Sequence, residues 1–109
     1  MPTRTFSNEQ VTHILEQVLV HQCACPSQLC RVILGLRELA QYERDCIDHT
    51  ATDVKVHHAI EKAAEQCQEI MNACLAEVLE LEGWDQTTLT MPKYLQEHQL
   101  RLVSESEAK

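Results

Sequence analysis

Residues 52–82 place the tightest limit on how this chain can fold. Val56, Ile60, Ala63, Ala64, Cys67, Ile70, Met71, Cys74, Leu75, Val78 and Leu81 recur there at three- and four-residue intervals. That spacing lines up side chains on one face of a 3.6-residue helix. Thr52 or Asp53 is the expected N-cap. Gly83 supplies the stop, with Trp84 in the position that folds back onto the last helical turn. The result is a rod of roughly 40 Å, and the rest of a short chain has to pack along it.

Composition agrees with a helical answer. Two glycines, three prolines and one phenylalanine among 109 residues, set against many Leu, Ala, Glu and Gln, leave little material for a sheet. The length suits one domain spanning 1–109, burying roughly two-thirds of its unfolded surface. A net charge of -8, with nine basic residues dispersed among seventeen acids, opposes binding to a phosphate backbone, so no nucleic-acid partner is expected. No stretch has eighteen consecutive apolar residues, and the first residues lack a secretory apolar region, so no membrane association is expected. The expected compartment is cytoplasmic. Thiols stay reduced there, and six cysteines point to packing, metal binding or redox chemistry ahead of a disulfide framework.

The remaining elements follow from caps and breakers. Ser7 and Gln10 fit a capping box, opening a first helix over 7–22 with Val11, Ile14, Leu15, Val18 and Leu19 on one face. Residues 1–6 and 104–109 are expected to be disordered. Pro26 disfavours helix at Cys25 and suits the first turn of a new one, so a second helix is expected over 27–48. Its apolar stripe is Leu29, Val32, Ile33, Leu36, Leu39, Ala40 and Ile47, with Glu43 lodged inside it. Residues 85–90 read as loop. Pro92 opens a short fourth helix to about Val103. The expected architecture is an all-α, small up-down bundle of three main helices plus a short C-terminal one. The third is too long to be covered by the others, so a homodimer completing the bundle through helices two and three is expected.

Two places could carry chemistry. His21-Gln22-Cys23-Ala24-Cys25-Pro26-Ser27-Gln28-Leu29-Cys30 puts three cysteines in eight residues at the corner between helices one and two. Counting outward from the loop near Thr50 sets Cys74 level with this turn. Cys23, Cys25, Cys30 and Cys74, with His21, would then form a soft ligand set of the kind that takes zinc, copper(I) or an iron-sulfur cluster, haem being a weaker match to Cys25-Pro26. Alternatively, the helix N-terminus would lower the thiol pKa of Cys25 and Cys30 and support reversible oxidation. The same count sets Glu43 opposite His57, either as a mutually satisfied pair or as half of a metal site. Inert packing competes at every cysteine.

The reading that follows is a small acidic helical protein whose cysteine-rich turn binds a soft metal or acts as a thiol redox site. Its rival is a non-catalytic, self-associating helical module, open to a protein partner, with its cysteines used for packing. No nucleophile triad, phosphate loop or nucleotide motif is legible.

Overall fold

The computed structural model describes residues 4–19, 25–93 and 95. Three helices, α1 (Asn8–Leu19), α2 (Cys25–Asp45) and α3 (Ala51–Glu82), account for most of them, and no strand occurs among the described residues. The fold is all-α. His21, Cys23 and nearly all of the expected fourth helix lie outside the described residues, as does the C-terminal segment expected to be disordered.

Local chemistry sets the helix ends. Ser7 Oγ accepts from the Gln10 N–H at 3.0 Å and Gln10 Oε1 accepts from the Ser7 N–H at 2.9 Å, a reciprocal capping box. α3 starts earlier than expected: Thr50, not Thr52 or Asp53, is the N-cap, its Oγ1 accepting from the Asp53 N–H at 3.1 Å. Asp53 serves instead in the first turn, where its carboxylate reaches back to the His49 N–H at 3.0 Å. At the other end Gly83 takes φ 79°. The Gly83 and Trp84 N–H groups donate to Glu80 O at 3.1 Å and Leu79 O at 2.9 Å, which is a Schellman closure, and Trp84 folds into the core. α2 begins at Cys25 rather than Ser27, with Pro26 in its first turn, and ends at Asp45 rather than Asp48.

Pairing along the helices runs in opposite directions. Arg44 meets Glu61 and Glu65, Arg37 meets Gln68, and Ile33 shares a core with Leu75 and Leu79, so α2 and α3 form an antiparallel hairpin. α1 packs on α2, with Asn8 at Arg37. The core lies at one end of this hairpin: Phe6, Val11, Ile14, Cys30, Ile33, Leu75, Leu79, Trp84, Leu89 and Met91 are buried together. The other end is a bare two-helix arm.

Two expectations change here. Phe6 was placed in a disordered leader, yet it is fully buried. Its N–H donates to Asn72 Oδ1 at 2.9 Å, the Arg37 guanidinium donates to its carbonyl, and the Arg4 guanidinium lies 4.6 Å from its ring centroid. The loop after α3 is also more than a connector. Asp85 Oδ1 accepts from the Thr87 and Thr88 N–H groups at 2.9 and 2.7 Å, three backbone and side-chain bonds from Thr87 and Thr88 hold its carboxyl below the usual range, and the turn delivers Leu89 and Met91 to the core.

Asn72 is the polar anchor of this core, since its Nδ2 also donates to Gln68 O at 2.8 Å. Asn72→Ala leaves the buried Phe6 N–H without its acceptor, and the expected cost is about 1–3 kcal/mol. Urea unfolding followed by circular dichroism checks this; a midpoint equal to wild type would show that the N-terminal segment is not anchored there.

Candidate functional site

The thiol-rich corner divides on inspection. Cys25 is exposed at the first residue of α2, Cys30 is buried in the core and Cys74 is half-buried on α3. Cys25, Cys30 and Cys74 do not by themselves converge as three donors, and the full ligand set depends on Cys23 and His21, outside the described residues. Cys30 also runs against the helix-terminus argument: burial pushes its thiol up to about 11. Desolvation disfavours the thiolate more than the helix end favours it.

Among the described residues, one set of potential metal donors does converge: Glu43, Cys46 and His57 each place a ligand atom within 4.8 Å of the others. Glu43 and Cys46 stand three residues apart, one helical turn, so they share a side of α2. Cys46 follows the last residue of α2, its N–H still bonded to Tyr42 O at 3.0 Å. The Thr50 cap then starts α3 close by and sets His57 in its second turn, facing α2. His57 Nδ1 lies 2.7 Å from Asp48 Oδ1, so the histidine's partner is Asp48 and not Glu43. Glu43 is only 8% exposed, and no hydrogen bond or ion pair from the described residues reaches its carboxylate. Arg44, its neighbour, turns to Glu61 at 3.2 Å and Glu65 at 3.4 Å. Glu43, Arg44, Cys46, Asp48, His57 and Glu61 line an open cleft of about 330 Å³. Counting outward from the loop brought Glu43 and His57 together. Cys46 is a donor that the sequence pattern did not single out, although its i, i+3 spacing from Glu43 was the available signal.

A second feature is a surface. The stripe expected to be the core of α3 is buried along one edge only, the buried face being rotated away from its centre. Of its residues Ile60, Ala64, Met71, Cys74, Leu75 and Val78 are buried or half-buried, joined by Leu79 from outside the expected stripe, while Val56, Ala63, Cys67, Ile70 and Leu81 remain exposed, Ile70 at 63% and Leu81 at 77%. α2 shows the same offset: Val32 and Leu39 are exposed immediately before buried Ile33 and Ala40. Two antiparallel helices offset in the same sense turn their open stripes to the same side of the hairpin. In heptad terms Ile60, Cys67 and Cys74 occupy a, Val56, Ala63 and Ile70 occupy d, His57, Ala64 and Met71 occupy e, and Ala59, Gln66 and Ala73 occupy g. None of these is an acid or a lysine or arginine. The five such residues between Val54 and Ala76, namely Lys55, Glu61, Lys62, Glu65 and Glu69, all fall at b, c or f.

No family model, curated protein or solved structure matches this chain. Among the described residues no helix is long and apolar enough to cross a membrane.

The burial of Cys30 carries a signed pH dependence. Below the ordinary thiol value of 9.0 both folded and unfolded chains keep the proton. As pH rises from there towards about 11 the unfolded chain ionises first, so this contribution to stability is lost. Urea midpoints at pH 8 and pH 10.5 should fall by less in Cys30→Val than in wild type, and an equal fall would show the thiol to be solvated.

Proposed function

We propose that this chain is a self-associating helical module, in which two α2–α3 hairpins meet through their open faces to make a four-helix bundle. The observation that carries this reading is the uncharged seam on α3. A chain of net charge -8 that clears every acid from the a, d, e and g positions of its longest helix over residues 54–76 has a contact face on which two copies do not repel. Small residues at Ala59, Ala63, Cys67, Ala73 and Cys74 let helices approach closely, and the three-four spacing suits side-by-side packing at about 20°.

The dimensions fit. A face about 35 Å long and two helices, or about 20 Å, wide offers on the order of 700 Å² per protomer, against about 800 Å² per partner in a standard stable interface. Covering it converts an arm with few buried side chains into a closed bundle. In this reading Cys30 packs the core and Cys67 and Cys74 pack the seam as small hydrophobes. A reducing compartment such as the cytoplasm fits a chain whose cysteines at 25, 30, 46, 67 and 74 are all free. The cysteine-rich turn has no part in the association, and metal or redox chemistry at Cys23, Cys25 and Cys30 remains a separate reading supported by the sequence spacing alone.

Sedimentation equilibrium of the full chain at micromolar concentration is expected to give about twice the 12.5 kDa protomer mass. Ile70→Glu, which introduces a charge into the seam at a position already 63% exposed, is expected to return the mass to one protomer with helicity retained. Alkylation of Cys67 should slow as protein concentration rises. A monomer at every concentration up to 100 µM, or a dimer indifferent to Ile70→Glu, would overturn the reading. A monomer that captures a different protein through this face would assign the surface to a heterologous partner instead.

A further inference from the structure

We infer that Glu43, Cys46 and His57 form a site for a divalent transition metal of the zinc class, closing the tip of the hairpin. Convergence of three chemically different donors is the first observation: a carboxylate, a thiol and an imidazole lie within 4.8 Å of one another. Ligand atoms around a tetrahedral ion at about 2.0–2.3 Å stand roughly 3.4 Å apart, so small side-chain rotations complete the geometry without moving a helix. The second observation is independent of the first. Glu43 is 92% buried by the complement of its 8% exposure, and nothing among the described residues pairs its carboxylate. A buried carboxylate without a partner is costly, and a cation at this point supplies one.

His57 is prepared for the role. Its Nδ1 lies 2.7 Å from Asp48 Oδ1; a neutral ring that donates there keeps its lone pair on Nε2, the carboxylate–histidine support common behind metal-bound imidazoles. On binding, the Cys46 thiol gives its proton to solvent. Thiolate and carboxylate then balance the two positive charges of the ion, and the imidazole stays neutral. Mixed sulfur, nitrogen and oxygen donors select zinc or cobalt(II) over magnesium and calcium, which prefer oxygen alone, and over copper(I), which prefers sulfur. The cleft of about 330 Å³ leaves the fourth coordination position open to water or another ligand. Arg44, which lines the same cleft, is already engaged by Glu61 and Glu65.

The test uses the full chain, reduced and stripped of metal, titrated with cobalt(II) and separately with zinc. Expected is one equivalent per chain, with thiolate-to-cobalt charge-transfer absorption that is lost in Cys46→Ser, falls at least tenfold in affinity in Glu43→Gln and His57→Gln, and is unchanged in His58→Gln and Cys25→Ser. Because a variant could misfold, the same question is put to wild type: one equivalent of zinc should protect Cys46 from alkylation, as read by peptide mass mapping. Absence of cobalt–thiolate absorption, its survival in Cys46→Ser, or protection of Cys25 and Cys30 in place of Cys46 would overturn the assignment. The site lies within one protomer, so the outcome is independent of whether Ile70→Glu separates the copies.

Discussion

The structure depends on a mismatch of lengths. α3 has 32 residues, α2 has 21 and α1 has 12, so at 1.5 Å per residue the rods are about 48, 32 and 18 Å long. A short helix can cover only part of a long one. α1 and the segment around Phe6 therefore close a core over the first half of α2 and the second half of α3, and the rest of the hairpin extends beyond it. The molecule measures 59 × 37 × 18 Å, an elongated body. Few positions on the part of the hairpin beyond α1 can be buried from both sides.

Much of this was legible in the sequence, and the misses share a physical cause. The capping box at Ser7 and Gln10, the Gly83 stop with Trp84 folded back, and the placing of Glu43 near His57 rest on local chemistry or on counting from a turn, both of which survive in isolation. The rotation of α3 does not. Its apolar residues cover an arc wider than one neighbour can bury, from Val56 and Ile70 round to Leu75 and Leu79, and periodicity alone does not say which part of the arc the monomer takes. The structure gives the inner part to α2 and leaves the outer part open. Phe6 was missed for a similar reason: an isolated aromatic in a polar leader has no periodicity, and its burial is visible only once Asn72, Arg37 and Arg4 are seen around it.

The thiols illustrate how burial overrides position. By sequence Cys30 is, with Cys25, a cysteine placed to feel the start of α2, yet it sits in the core with Ile33 and Leu75 and its thiol is harder to ionise than a free one. Cys46 belongs to no sequence cluster, yet it stands beside Glu43, a carboxylate that is buried and has no partner among the described residues. Clustering in sequence drew attention to the turn. Clustering in space, among the described residues, favours the other end of the same helix.

Stability along the hairpin should therefore be uneven. At the core end hydrophobic burial is dense. Towards the tip, Ile47 is 75% exposed and Val54 50%, and the connections are polar: Arg44 to Glu61 and Glu65, Asp48 to His57, the Thr50 cap. Exposed ion pairs of this kind contribute about 0–1 kcal/mol each, and a cap about 1 kcal/mol, so the tip opens at lower free energy than the core. Any agent that binds only the closed tip raises that opening free energy by its own binding free energy at the prevailing concentration. A second copy on the open face and an ion between Glu43, Cys46 and His57 are both agents of this kind. They would act on the same weak segment from different directions, one covering its apolar side and the other satisfying its buried carboxylate. The arm without the core would have nothing to hold it, and the core without the arm would present no face, which is why one long helix runs through both.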